Sequence, residues 1–269
     1  MIHTAPPMCS LRYDSRANVP CWTGDPPGAL LAFSTRLGGI SVAPYDSLNL
    51  GNSTGDDPGA VTGNRRRLLE HLDLDPQRLA TAGQVHGVHV MRAREPGLHP
   101  DCDALVTTEP GLAIAVTAAD CLPIVCIAPG AVAAAHSGWR GTALGMPRAV
   151  LDSVCAAAGV GPERVHVYLG PSIRACCYRV GDDVAEAFPE ATRMRVDGAC
   201  HVDLAAAARL QLLHGGARPE HVLDLAECTA CHPERYFSHR RDAGTTGRLW
   251  AVVVLRDAGI RGSSRRNPV

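Results

Sequence analysis

Three apolar runs in the middle of the chain restrict its fold more than any other feature of the sequence. They cover residues 112–118, 122–128 and 131–136, and Pro-Gly pairs precede the first run and divide the second from the third. Because apolar residues follow one another without alternation, strands formed by these runs are buried on both faces. Shorter runs at residues 30–34 and 249–255 predict further buried strands. A sheet covered on both sides is therefore expected.

Three segments predict helices that can cover such a sheet. Apolar residues recur at helical spacing over residues 61–72, with Asp56 or Asp57 available to cap the helix start. Residues 147–158 begin with a proline, which suits the first helical turn. Residues 203–213 are rich in Ala and Leu and predict the third helix.

We expect residues 1–269 to form one α/β domain. Strands and helices alternate only loosely, which favours a mixed β-sheet flanked by helices over a regular doubly wound sheet. Residues 1–29 contain several Pro and Gly residues without periodicity and predict a poorly ordered or meandering lead-in. Residues 257–269 form a polar tail that carries arginines.

The charge balance argues against a macromolecular polyanion as partner. The chain has 26 basic and 27 acidic residues, and it has no lysine, so every basic residue is an arginine. A chain without a net positive field is not expected to bind nucleic acid or an anionic membrane surface. A small anionic ligand would be held by arginine forks, backbone N–H groups or a metal.

The cysteines and the chain start favour a cytoplasmic protein. The eleven cysteines are odd in number, and residues 1–30 lack the charged and apolar regions of a signal peptide. No apolar run reaches the length of about 18 residues that a membrane span needs. We therefore expect free thiols, of which most are small buried residues and a few are ligands.

Three turns beside predicted strands each carry one residue that commonly binds metals: His86, Cys121 and His136. Two imidazoles and a thiolate suit Zn²⁺, and three protein ligands leave the fourth position that a catalytic zinc site needs. The spacing alone also fits a simpler interpretation, with a core thiol and two histidines hydrogen-bonded at strand ends.

Eight short motifs occur in order along the chain. They are FSTRLGGIS (33–41), NLG (49–51), QVHG (84–87), DAL (103–105), ADCLP (119–123), HSGWRG (136–141), LGPSI (169–173) and RRDAGTTGR (240–248). Together they closely resemble the YfiH-like family, which is labelled both polyphenol oxidase laccase and purine nucleoside phosphorylase. Where this family often has tyrosine before the last motif, the chain has His239.

The resemblance implies a single α/β domain and a metal, usually zinc, bound by His86, Cys121 and His136. It also implies phosphorolysis of adenosine, inosine and methylthioadenosine to free base and ribose 1-phosphate, with some adenosine deamination. Partners are then a purine nucleoside and phosphate, and we expect a monomer or a weak homodimer. Copper in place of zinc stays open.

Phosphorolysis needs groups that hold an anion, and in this chain arginine must supply them. Arg36, Arg140 and Arg241 are the candidates, Arg140 with a catalytic role. Gln84 and Asn49 have amides suited to hydrogen bonds with purine or ribose.

Deamination needs a group that moves protons near the activated water. Asp120, next to Cys121, is the titratable candidate. It is equally suited to orienting a metal ligand, which is the role we favour for it.

Two other functions use the same residues differently. A cysteine hydrolase would use Cys121 as nucleophile, His136 as base and backbone amides of residues 138–141 as oxyanion hole. It would not need His86, whereas a zinc site would. A copper-dependent polyphenol oxidase with a trinuclear cluster needs about eight histidines, commonly in His-x-His pairs, and the chain contains no such pair.

Two further cysteine pairs stand outside these motifs or at their edges. Cys228 and Cys231 have the spacing of a metal knuckle, but no second pair follows at zinc-finger spacing. The adjacent Cys176 and Cys177 are expected to pack rather than to form a disulfide with each other. The sequence therefore disfavours a second zinc and leaves the role of these cysteines open.

Overall fold

A computed structural model describes residues 9–256 of the chain. The strands are Arg12–Tyr13 (β1), Cys21–Gly24 (β2), Ala29–Ser34 (β3), Leu79–Ala82 (β4), Val90–Arg92 (β5), Gly97–His99 (β6), Ala104–Thr107 (β7), Ala113–Ala118 (β8), Leu122–Ala128 (β9), Ala131–Ser137 (β10), His166–Leu169 (β11), Arg179–Val180 (β12), Arg193–Val196 (β13), Ala199–Val202 (β14), Val222–Asp224 (β15) and Leu249–Leu255 (β16). The α-helices are Pro58–His71 (α1), Trp139–Leu144 (α2), Met146–Ala158 (α3), Asp182–Glu186 (α4) and Leu204–His214 (α5).

Two large sheets and one small sheet contain these strands. The first has the order β1-β2-β3-β16-β8-β4-β6, the second β15-β11-β9-β10-β7-β5, and the third β12-β14-β13. Both large sheets are mixed. In the first, β4 runs parallel to β6 and β8; in the second, β15 runs parallel to β11 and β5 runs parallel to β7. The expected α/β class with mixed sheets is confirmed, with several sheets instead of one.

The two large sheets stack on each other and helices cover their outer faces. Alternate residues of each central strand contact different layers: Leu31 and Val253 face the core between the sheets, whereas Ala32 and Val252 face α1. On the second sheet, α3 and α5 cover the outer face. Since both faces of these strands are buried, their sequences are apolar throughout, as the central runs predict.

The helix ends follow local rules. The Asp57 carboxylate caps α1 by accepting from the N–H of Ala60 at 2.7 Å, which confirms one of the two predicted caps. Gly159 ends α3 with a φ of 66°, a left-handed conformation that favours glycine. None of the helices between residues 9 and 256 is long and apolar enough to cross a bilayer.

The structure corrects the expected lead-in. Strand β2 pairs with β3 along its whole length, and β1 pairs with β2 at the edge of the first sheet. These strands are too short for a periodic pattern, and pairing with a distant part of the chain decides their structure. Residues 1–8 and the predicted polar tail at 257–269 lie outside the described residues. The assignment of one domain stays a prediction.

Candidate metal centre and substrate cavity

The three expected metal ligands meet at the ends of strands. His136 lies near the end of β10 opposite Pro123 of β9, and Cys121 directly precedes β9, so antiparallel pairing brings the thiol beside the imidazole. His86 comes from the loop after β4. One ligand atom of each residue lies within 4.8 Å of the other two.

A buried carboxylate holds both histidines in place. Asp103 Oδ1 lies 2.9 Å from His136 Nδ1 and accepts the backbone N–H of His86 at 2.9 Å, while Oδ2 accepts from Val85 and Gly87. Because an ionised carboxylate only accepts, His136 Nδ1 carries a proton and Nε2 is the atom left to bind a metal. Asp103 thus fixes the ring of one ligand and the loop of the other.

The backbone around the site adopts left-handed conformations that are energetically unfavourable for residues other than glycine. Gln84, His86 and Asp120 have φ values of 58°, 62° and 84°, and such positions concentrate at functional sites. At Gly138, an added Cβ would lie 3.0 Å from both Cys121 Sγ and His86 Nδ1. Glycine is therefore required there if the two ligands are to stay close together.

The charges of the three ligands favour exchange of a proton for a cation. Burial lowers the pKa of His136, but Cys121 and Asp103 raise it more, to about 9. The pKa of His86 is lowered by burial and by the neighbouring His136. The pKa of Asp103 is lowered as well, because hydrogen bonds from His136 and Gly87 outweigh burial, which raises it. A divalent cation bound by the three ligands can replace the proton that the raised pKa keeps on His136.

All three ligands line a cavity of about 600 Å³. This volume falls in the range of small-molecule sites, about 300–1,000 Å³. Its apolar part comes from two aromatic rings, of Trp139 and Tyr178, and from aliphatic side chains. His239, which stands where the YfiH-like family often has tyrosine, also lines the cavity.

Three arginines line this cavity: Arg65, Arg240 and Arg248. Arg65 donates from Nε and Nη2 to the Leu50 carbonyl, and burial lowers its pKa to about 10. Arg248 is anchored through Nη1 to two backbone carbonyls. The guanidinium of Arg240 lies over the Tyr178 ring, 5.1 Å from its centroid. The cavity wall is therefore cationic beside its aromatic part.

The arginines and the asparagine expected from the sequence lie elsewhere. Arg36 pairs with a carboxylate and two backbone carbonyls of neighbouring loops. Arg241 likewise donates to two backbone carbonyls and an adjacent carboxylate. Asn49 is fully buried and its amide organises a turn. Arg140 is exposed and lies 4.3 Å from the centroid of the Trp139 ring. The structure places all four outside the cavity lining.

Asp120 and Gln84 do line the cavity, but with their polar atoms engaged. The Asp120 carboxylate accepts from Thr229 Oγ1 at 2.6 Å, from Ser238 Oγ and from the backbone N–H of Arg240. The Gln84 amide is bonded on both sides to the backbone of Thr117. Asp120 thus joins the turn between β8 and β9 to the long connection between β15 and β16. The ligand-orienting contact that we favoured for it belongs to Asp103 instead.

The donor set fits zinc. Within residues 9–256, two groups of side chains have the donors and separation to hold a metal ion, and this is one of them. Two imidazoles and one thiolate are borderline-soft donors, and three protein ligands beside a cavity leave room for a substrate atom.

Asp103, Arg65, Arg240 and Arg248 are among the site residues that the sequence analysis did not identify. Asp103 and Arg248 lie in two of the quoted motifs. Membership in a motif could have marked them as site residues, although the sequence does not show what they contact. Arg65 is on α1, where one more arginine on a helix gives no signal.

Known proteins resemble this chain over most of its length. The family model described as multi-copper polyphenol oxidoreductase laccase matches residues 30–256. Purine nucleoside phosphorylase YlmD of Geobacillus stearothermophilus is 38% identical over 256 residues, covering 87% of this chain and 93% of that protein. Purine nucleoside phosphorylase YfiH of Escherichia coli is 38% identical over 255 residues, covering 90% and 99%.

The fold is shared as well. The crystal structure of YlmD from Geobacillus stearothermophilus matches with a TM-score of 0.86 and 34% identity, covering 94% of this chain and 100% of that one. The names of these relatives support an enzyme. Sequence motifs, fold and relatives agree, and the chain belongs to the YfiH-like family of the multi-copper polyphenol oxidoreductase laccase model.

Proposed function

We propose that this protein is a zinc-dependent purine nucleoside phosphorylase. It cleaves adenosine, inosine and methylthioadenosine with phosphate to the free base and ribose 1-phosphate. The observation that carries the proposal is the convergence of His86, Cys121 and His136 on one wall of a cavity that arginines and aromatic rings also line. The names of the relatives support the same activity.

His86, Cys121 and His136 would hold the zinc. When bound, zinc supplies Lewis-acid chemistry that stabilises charge developing on a substrate oxygen. Asp103 keeps the His136 ring in the tautomer that leaves Nε2 available and fixes the loop of His86. Copper would suit the same donors, so the native metal is part of the test.

The other cavity residues would bind and orient the two substrates. The Trp139 and Tyr178 rings suit the face of a purine, and Arg240 and Arg248 suit the oxygens of phosphate. In the reaction, a phosphate oxygen bonds to C1′ of the ribose, the C1′–N bond breaks, and its electron pair leaves with the purine. Positioning of the two reactants accounts for much of such a rate enhancement.

Adenosine deamination is proposed as a side activity of the same cavity. Water then adds at C6 of the purine and ammonia leaves, which requires proton transfer near the metal ligands. Asp120 is held by three donors of the wall, so we assign it a positioning role. The catalytic role of Arg140 stays a prediction.

A cysteine hydrolase is the second candidate. One observation favours it: the Cys121 thiol lies beside the His136 imidazole, and Cys121 raises the pKa of that histidine. A thiol beside a basic imidazole is the arrangement of a nucleophile and its base.

The deciding experiment measures adenine, ribose 1-phosphate and ammonia from adenosine with and without phosphate. We expect adenine release to require phosphate, to be matched by ribose 1-phosphate, and to stop when a chelator removes the metal. Base release that is independent of phosphate would contradict a phosphorylase, and ammonia without base release would indicate a deaminase. Metal analysis of the same sample identifies the ion.

A further inference from the structure

A second group of thiols lies apart from the residues that line the cavity. The four sulfur atoms lie within 4.8 Å of one another, and all four cysteines are free. This four-cysteine cluster consists of Cys176, Cys177, Cys228 and Cys231. The other two cysteines, Cys176 and Cys177, precede Cys228 and Cys231 in the chain and directly follow each other. Zinc-finger spacing therefore does not reveal the cluster.

The sulfur separations fit ligands of one metal ion better than a disulfide. Cys231 Sγ lies 3.5 Å from Cys176 Sγ and 3.3 Å from Cys177 Sγ. A disulfide bond is about 2.05 Å long. Four thiolates around a tetrahedral zinc at about 2.3 Å lie about 3.8 Å from one another. Cys176 and Cys231 are exposed, so small movements of their side chains suffice to reach that geometry.

The backbone already holds the two cysteine-bearing turns together. Ser172 and Cys228 form an isolated parallel bridge. The Ser172 N–H donates to the Glu227 carbonyl at 3.1 Å, and the Thr229 N–H donates to the Ser172 carbonyl at 3.1 Å. Since backbone hydrogen bonds fix the two turns relative to each other, the chain loses little entropy when the thiols converge on an ion.

The surroundings suit a metal ligand at the buried member of the cluster. Backbone N–H groups of Arg174 and Cys231 are directed at the Cys228 sulfur. Two cysteines with two residues between them, and N–H groups directed at the first sulfur, are typical of a zinc knuckle.

We propose that the four-cysteine cluster binds one structural zinc ion through four thiolates. Each thiol gives up its proton as the sulfur–zinc bond forms. Four protein ligands complete a tetrahedron, so this centre has no position for a substrate and serves structure.

The proposed ion stabilises one wall of the substrate cavity. Tyr178, which lines the cavity, directly follows Cys177, and Ile173 of the same wall precedes the pair. Thr229, which directly follows Cys228, donates to the Asp120 carboxylate at 2.6 Å. A metal ion at the four-cysteine cluster would therefore hold both cysteine-bearing turns in place on the side away from the cavity.

The test is the zinc content of protein purified under reducing conditions. We expect about two zinc ions per chain in the wild type and about one in Cys231→Ser and in His86→Ala, because each change removes a ligand of a different centre. Cys200→Ser, a matched change at a partly exposed cysteine outside the cluster, should keep the full zinc content. Zinc that Cys231→Ser does not reduce would overturn the proposal.

A second measurement does not depend on the folding of a cysteine variant. His86→Ala, which leaves the four-cysteine cluster intact, is loaded with Co²⁺ and its absorption spectrum is recorded. We expect the intense thiolate-to-cobalt charge-transfer band of a tetrahedral site with four sulfur ligands. Absence of that band, or a disulfide within the cluster found by peptide mapping of the protein purified under reducing conditions, would overturn the proposal. The phosphorolysis assay is separate, so the two proposals fail independently.

Discussion

The two clusters of candidate metal ligands in this protein differ in what surrounds the same kind of donor. His86, Cys121 and His136 offer three ligands at the wall of a cavity, with Asp103 behind them. The four-cysteine cluster offers four ligands and borders the back of that wall. The number of ligands and the space beside them, more than the identity of the metal, separate a centre suited to catalysis from one suited to structure.

The second difference lies in how the ligands are held. At the cavity, one buried carboxylate organises two histidines, and a glycine allows the close approach of ligand side chains. At the four-cysteine cluster, backbone pairing of two turns performs that function. Substitutions of outer partners should therefore damage the first centre and leave the second intact.

The largest effect is expected for His86→Ala. Loss of one of three protein ligands should remove the zinc of the cavity and reduce phosphorolysis by more than about 100-fold, since even outer-partner changes cost about 10–100-fold. Metal content and turnover are measured on one sample. His89→Ala, three residues further along the same loop region, is the control and should retain both. Full activity of His86→Ala would support the Cys121–His136 dyad instead.

Asp103→Asn should have the next largest effect. The amide group cannot accept all the hydrogen bonds that the carboxylate accepts, and it no longer favours the proton on His136 Nδ1. We expect zinc affinity at the cavity to fall by about 10–100-fold, measured by competition with a chelator. Asp101→Asn is a matched control, because this exposed residue has a φ of 55°, which asparagine tolerates. Equal affinity in both variants would show that Asp103 does not position the ligands.

The pH dependence of zinc binding separates the cavity site further. The pKa of His136 is raised from 6.5 to about 9, so without metal the ring is protonated at neutral pH and the cation must displace that proton. Affinity should rise with pH, by up to about tenfold per unit for one proton released, and level off once pH exceeds the raised pKa. The measurement uses the Cys231→Ser variant, in which only the cavity site is intact. A flat profile below that pKa would contradict the proton displacement.

Arg240→Gln should have the smallest effect of these changes. Loss of one guanidinium from the cavity wall should raise the KM for phosphate by about tenfold, the value of one charge-assisted hydrogen bond, with the zinc content unchanged. Arg148→Gln, an exposed arginine of α3 paired with Asp152, is the control. If Arg140→Gln raises that KM and Arg240→Gln does not, the expectation from the sequence is the better one.

The sequence predicted the central strands well because their burial is written in consecutive apolar residues. It did not predict that two sheets stack, since the partners of β16 and β4 are distant in the chain and pairing depends on the whole fold. Strand β2 was missed because four residues are too few to show a hydrophobic period.

At the site, the sequence supplied residue types but not contacts. The resemblance brought together His86, Cys121 and His136, and the structure places them side by side. It could not tell which arginines face the cavity, because Arg36 on a loop and Arg65 on α1 differ in their position in the fold and not in their chemistry. The four-cysteine cluster escaped notice because bridging between residues 172 and 228 is long-range.

The proposed metal site at the cavity takes its ligands from both large sheets. His86 follows β4 of the first sheet, His136 belongs to β10 of the second, and Cys121 lies in the connection between β8 and β9, where the chain passes from one sheet to the other. An ion bound there would link the two layers directly. Loading should then be a late event in maturation, completed after the layers have stacked, and hydrogen exchange at this end of both sheets should slow together when zinc is added.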